Sequence, residues 1–210
     1  MKHRIAAGLT ATAIVATGLM ANTAAPASAS LGDRSLAAVL AADGHHFDHN
    51  WGDFDIVDEA VTTVLKAKPD SPVGVLAKGN VRLTAFLPTD AAFRRLVTSV
   101  TGKKPASESA TFKKVAGLVD VDTLEAILLY HVVPGARINA AQASKADGAK
   151  LKTAAGLNLR VNVKRSGAIK LLDKDKDAWN ATVIPSKVNI NKGNTQIAHG
   201  ISRVLRPADL

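Results

Sequence analysis

Residues 126–135 read AILLYHVVPG, an apolar run that carries the only tyrosine of a 210-residue chain and, beside it, a histidine. Leu124, Ile127, Leu128 and His131 recur at i, i+3, i+4 and i+7, which predicts a helix through TLEAILLYH, started by Asp120 or Asp122. His131 lies on the apolar stripe of that helix. Tyr130, turned by about 100°, lies on its flank nearer the surface, where a phenol buries its ring and keeps its hydroxyl wet or paired. Pro134 biases Val133 toward extended geometry and Gly135 permits a turn, so the helix must stop here. The imidazole is therefore expected at a helix C-terminus, where free carbonyls accept hydrogen bonds. Two roles stay open for the pair. His131 is a core group bonded to backbone or to Thr89 or Asp90, because buried polar groups are paired. Alternatively, Tyr130 and His131 form a recognition spot resting chiefly on Tyr130.

Outward from this segment the periodicity changes once. Before it, SLAAVLAAD is a short helical pattern, DGHHFDHNWGDFD a polar, turn-rich loop, and IVDEAVTTVLKAK a second helix with Ile56, Ala60, Val64 and Leu65 in phase. VRLTAFLP alternates as a strand that Pro88 ends. Thr89 caps the next helix, DAAFRRLVTSV, with Asp90 at its positive end and Phe93, Leu96, Val97 and Val100 on one face; SESATFKKVAGL follows as another helix. After Gly135 the spacing becomes two: Leu157, Leu159, Val161 and Val163, then Ile169 and Leu171, then Ile197, His199 and Ile201, each set predicting a half-buried strand. Helices first and strands last indicate an α+β domain.

Residues 1–30 read as a secretory signal peptide, with a basic start, an uncharged apolar run to Met20 and a small-x-small site at Ala27-Ser28-Ala29. Residues 31–210 are then one exported domain, secreted or held at the cell envelope, with no later run of the ~20 apolar residues a membrane span needs. No cysteine is present, which excludes disulfides, thiol chemistry and thiolate metal sites. Residues 31–100 hold 7 Lys+Arg against 9 Asp+Glu (−2), and residues 101–210 hold 18 against 9 (+9). Outside a cell, a basic half favours anionic polysaccharide, wall polymer or membrane surface. Nucleic acid is disfavoured, because base stacking needs aromatic platforms and the basic half offers only Phe112, Tyr130 and Trp179.

LTAFLPTDAAFRRL at 83–96, LLYHVVPG at 128–135 and NTQIAHGISRVLRP at 194–207 resemble, in this order, the two end motifs and the central Tyr-His motif of fasciclin domains. The motifs span 83–207, and as a domain the resemblance covers 35–207, nearly the whole mature chain. It implies helices packed on a β-sandwich-like wedge of mostly C-terminal strands. It also implies an adhesion or matrix-binding role without catalysis and without a cofactor. Thr89, Asp90, Phe93, His131, Pro134, Gly135, His199 and Gly200 are the motif positions. The partner is an unidentified extracellular protein or polysaccharide. One departure matters: Asn189-Ile190 is the nearest equivalent of the Asp-Ile pair linked to integrin binding in animal members, so that recognition does not carry over.

Other constellations are weaker. Ala198, Gly200 and Ser202 face away from His199 and would let another element pack closely. A hydrolase using His131 or His199, with Ser202 as a conceivable nucleophile, is the rival reading, but no GxSxG motif is present. A structural surface protein without a ligand is the third. His45, His46, Asp48, His49, Asp53 and Asp55 form the best metal candidate; Gly44 and Gly52 nevertheless argue for a solvated loop anchored by Phe47, Trp51 and Phe54, and no metal site is assigned. Asp173, Asp175 and Asp177 resemble the opening of a calcium loop, yet Ala178 stands where glycine is required and Ile184 where a bidentate Glu is required. A hairpin turn with self-neutralising charges is expected there.

Overall fold

The computed structural model describes residues 30–208; the proposed leader, apart from Ser30, lies outside them. Ser35 accepts from Ala38 N–H and starts α1 (Leu36–Leu40), which continues as a 3-10 turn to Asp43. After the loop comes α2 (Asp55–Ala67), which buries Ile56, Val57, Ala60, Val61 and Val64 and keeps Lys66 in its last turn. A 3-10 segment, Pro72–Ala77, leads to β1 (Leu83–Pro88), and α3 (Asp90–Thr101) follows at once, stopping at Gly102 with φ +70°. Ser107 caps α4 (Glu108–Leu118), and Asp120 caps α5 (Val121–Tyr130) by accepting from Thr123 N–H at 2.7 Å. The remaining elements are β2 (Val132–Pro134), α6 (Ala140–Ala143), β3 (Lys150–Lys152), β4 (Asn158–Val163), β5 (Ile169–Leu172), β6 (Ala181–Thr182) and β7 (Gln196–Ile201). None of the described helices is long and apolar enough to cross a membrane.

Two sheets result, ordered β2-β1-β7 and β3-β4-β5-β6. In the first, β1 runs antiparallel to β2 and parallel to β7, with Phe86 opposite His199 and Leu87 opposite Gly200. All six residues of β1 are buried, because its two faces serve two cores. Leu83, Ala85 and Leu87 join the helical core with Ile56, Val64, Phe93 and Leu128, while Phe86 joins Tyr130, Leu159, Val161, Leu171 and Leu205 against the second sheet. Thr84, on the latter face, stays satisfied by donating to Ala136 O and accepting from Ile138 N–H, both at 2.8 Å. Gln196, fully buried, likewise accepts from Leu36 N–H and donates to Val75 O and Lys78 O.

The four-stranded sheet shows the half-buried alternation read from the sequence: Leu159, Val161, Ile169 and Leu171 point inward. Strand β7 does not, since all six of its residues are buried; it ends its sheet, but the side turned away from β1 is bonded by the 182–190 segment, with Ile190 and Ala198 exchanging both backbone bonds and Ile184 N–H donating to Gly200 O. The helix at Tyr130 stops before the Pro-Gly pair, and Val132–Pro134 pairs with Leu83–Ala85 instead. Pro134 is tolerated because it is exposed at the end of an edge strand, and Gly135 turns with φ +74°. Thr89 occupies the N-cap position of α3, but its side chain makes no capping bond; it is buried, and its carbonyl accepts from Ala92 and Phe93.

The close approach expected at Gly200 is real. A Cβ there would lie 2.7 Å from Lys187 Cβ and 3.3 Å from Phe54 Cζ. Gly200→Ala should therefore lower stability by about 1–3 kcal/mol, seen as an earlier midpoint in denaturant at unchanged slope.

Candidate functional site

The Tyr130–His131 pair lies inside the protein. His131 is 4% exposed and Tyr130 0%. At the C-terminus of α5, Ile127 O accepts from the ring at Nδ1 (2.8 Å), and Leu205 N–H donates to Nε2 (2.9 Å), which fixes the neutral Nδ1–H tautomer. The expected partners Thr89 and Asp90 are not the ones used; the last helical turn and the C-terminal segment are. Burial holds the imidazole down at about 4, only partly opposed by Ile127 O. Tyr130 is not at the surface as expected, because the flank of α5 is roofed by the second sheet. Its hydroxyl donates to Asn158 O at 3.3 Å, and burial, with Asp173 adding to it, pushes the phenol up to about 12. Neither side chain is available to a partner on the folded surface.

His199 is equally enclosed, at 1% exposure. Its Nε2 contacts Ile138 O at 2.8 Å, Asn189 N–H donates to its Nδ1 at 3.4 Å, and burial lowers its pKa. Both nitrogens of both rings are thus taken by backbone, and both rings are buried. Ser202 Oγ accepts from Thr182 N–H, and no hydrogen bond joins it to a histidine. Among the described residues, Ser202 forms no base–nucleophile pair with His131 or His199. Asn189, with φ +57°, accepts from Ala140 N–H at 2.8 Å and so serves the fold.

Of the six residues of the metal candidate, the carboxylates Asp48, Asp53 and Asp55 converge, and no histidine joins them among the described residues. His45 and His49 have φ +58° and +75°, so their i,i+4 spacing has no helical meaning. His45 pairs with Asp58. Phe47 packs on Phe112 and Phe54 beside Gly200, as anchors should. The carboxylates, however, converge with two that come from elsewhere: oxygens of Asp48, Asp53 and Asp55, and of Asp53, Asp90 and Glu108, lie within 4.8 Å of one another in each set. Asp90 accepts from Ile56 N–H (2.9 Å) and Asp55 N–H (3.3 Å), so it caps α2 rather than acting only on its own helix. Burial, then the facing Asp53, push its carboxyl up to about 9.

The Asp173–Asp177 turn is a hairpin between β5 and β6, but its charges are not neutralised within it. Arg206 bridges to buried Asp175 at 2.9 Å and donates its backbone N–H to Asp173. Burial raises the Asp173 carboxyl to about 6.

One open surface gathers positive charge. Adjoining concavities of about 510 and 370 Å³ run beside α3 and share Ser99 and Arg203. The larger is lined by Trp51, Arg94, Arg95, Lys104 and Arg203, the smaller by Arg203, Arg206, Asp175, Asp177 and Trp179. Arg94 stacks over Trp51 at 3.9 Å and donates to Pro105 O; Arg95 donates to Ser202 O. Arg203 has no hydrogen-bond or ion-pair partner among the described residues. Burial, then the neighbouring Arg95 and Arg206, lower its pKa. Trp179, 77% exposed, stands at the far end. Of these residues the sequence singles out Trp51, Trp179, Asp175 and Asp177, none as part of a basic surface; guanidinium groups from positions 94–95 and 203–206 meet only through the fold. Glu108 was missed too, since an acidic first turn is ordinary and gives no hint of burial.

Because His131 binds its proton less readily when folded, its contribution is complete above pH 6.5 and is lost as pH falls toward 4, by roughly 3 kcal/mol in all. Denaturant melts of wild type and His131→Gln from pH 7.5 to 4 should converge over this window. At pH 7.5 the variant should be about 1–3 kcal/mol less stable, through the unpaired Leu205 N–H and Ile127 O.

The Fasciclin domain model matches residues 59–207. Among solved structures, a FAS1 domain pair from the insect cell adhesion molecule fasciclin I is similar, with 19% identity, a TM-score of 0.43, and coverage of 70% of this chain and 45% of that one. The chain thus spans less than half of that structure's length. No curated protein matches. With most of its length matched by the family model, the chain belongs to the fasciclin domain family.

Proposed function

We propose that the chain, freed of residues 1–30, is a single-domain adhesion module, secreted or envelope-associated, that binds without catalysing. Its partner is an anionic envelope polymer, a wall polymer or an acidic polysaccharide. The observation that carries this reading is Arg203, a half-buried guanidinium without a partner in the floor shared by both concavities, with Arg95 and Arg206 close enough to repel it. Three converging guanidinium groups are costly alone and are relieved by an anion that accepts from them. Trp179 offers an exposed apolar plate for a polymer unit beside the charged group. Arg94 and Arg95 come from the segment that sums to −2, so the binding charge is set by the surface and not by the C-terminal half alone.

The outer face of the second sheet adds to the same field. Lys150 stands directly opposite Arg160, with Lys152 and Lys170 on the same face. Like charges opposed across strands destabilise a bare sheet and are screened by a polyanion. The closed rings of His131 and His199 support a role without hydrolysis.

Binding of the secreted protein to an immobilised anionic polysaccharide tests the proposal. Affinity should fall steeply between low and high salt, and Arg203→Gln should weaken it roughly ten- to a hundredfold, the scale of one lost charge-assisted hydrogen bond. Salt-insensitive binding, or equal binding by the variant, overturns it. No binding to any anionic polymer leaves the structural-protein reading in its place.

A further inference from the structure

The ends of three helices meet over one group of carboxylates. Asp55, Asp90 and Glu108 are the first residues of α2, α3 and α4, and Asp48 and Asp53 reach the same place from the 44–54 loop. Asp90 and Glu108 are fully buried. Glu108 Oε2 accepts from His49 N–H at 2.9 Å, but its Oε1 has no partner, and neither does the buried Oδ1 of Asp53. No lysine or arginine pairs with Asp53, Asp90 or Glu108 among the described residues. Each helix N-terminus supplies only about half a positive charge. That is less than one compensating charge per carboxylate, and the two orphan oxygens are left without any donor.

We propose that Asp53, Asp90 and Glu108 bind a divalent cation of the calcium class, with Asp48 and Asp55 joining through Asp53, which belongs to both sets of oxygens. Three features select this class. The converging donors are all oxygens, as a hard cation requires, and the one nearby imidazole shown to have a partner, His45, is engaged with Asp58. Oxygens within 4.8 Å of one another fit around one centre at calcium's usual bond length of about 2.3–2.6 Å. The cluster is irregular, drawn from a loop and three helices, which suits calcium's flexible coordination better than the strict octahedron of magnesium. Glu108 Oε1 and Asp53 Oδ1 gain the partner they otherwise lack. The ion also fastens the loop to the helical layer, because Asp48 and Asp53 belong to the first and Asp90 and Glu108 to the second.

The test uses the secreted protein, stripped with chelator and then titrated with calcium chloride. Melting temperature should rise saturably, by roughly 5–10 °C at a hundredfold excess over Kd. Terbium should show sensitised emission on tryptophan excitation, because Trp51 lies two residues from Asp53. Glu108→Gln keeps an acceptor for His49 N–H, and Asp53→Asn changes a half-exposed residue. Without calcium each should melt at or above the wild-type value, since each removes a repelling charge, and each should lose more than half of the calcium-induced rise. Two outcomes overturn the proposal. One is no saturable rise up to about 10 mM calcium, beyond the range of weak extracellular sites; the carboxyls are then neutralised by shared protons. The other is an equal rise in both variants, which places the ion elsewhere.

Discussion

The fold depends on a wall that has no solvent side. Strands β1 and β7 separate a helical core from a second core built on the four-stranded sheet, so every residue of both strands must suit a buried environment. Apolar side chains do this at no electrostatic cost. The polar ones do it only because each finds a partner: Thr84 in the 136–138 backbone, Gln196 in three backbone groups, and His199 between Ile138 and Asn189. At roughly 1–3 kcal/mol for each buried group left unpaired, such satisfaction is on the scale of a domain's whole margin of stability. Conserving the apolar pattern alone would not preserve this wall.

Helix α5 is where the two cores are joined. Leu124, Ile127 and Leu128 belong to the helical side, and Tyr130 belongs to the other. A helix that ends at the wall must satisfy its last carbonyls away from water. His131 does so for Ile127 and uses its second nitrogen to hold the C-terminal segment at Leu205. Tyr130 thus enters the second core while the adjacent His131 closes α5 against the C-terminal segment, and burial disfavours the charged form of both rings.

The long elements were legible because their periodicity reports one buried face. Helices α2, α3 and α5 and strands β4 and β5 follow that logic directly. It fails for Tyr130 and β7, since a stripe read against a single core assigns the other face to solvent. Strands β2, β3 and β6, of two or three residues each, are too short to carry a period. Asp90 was placed correctly at a helix N-terminus, but its main service is to the neighbouring helix, a tertiary relation with no local signal. The charge sums behaved similarly. They identified a basic protein, yet the partnerless Arg203 is flanked by Arg95, from the segment of opposite net sign.

Helix α3 and the loop before α2 tie the two charged regions together. Asp90, at the start of α3, belongs to the carboxylate group, and Arg94 and Arg95, one turn later, line the groove. The loop repeats the pattern: Asp48 and Asp53 turn to the carboxylates while Trp51 between them stacks under Arg94. Backbone bonds lock the two segments in register, Ala91 N–H donating to Trp51 O at 2.9 Å and Asp90 N–H to Asp53 O at 3.1 Å. The carboxylate group and the Arg94–Arg95 pair are thereby held apart on one frame instead of pairing with each other. An ion among the carboxylates would act on the groove through this frame, because the segment that carries Asp53 also sets Trp51, and Trp51 fixes the face on which Arg94 rests.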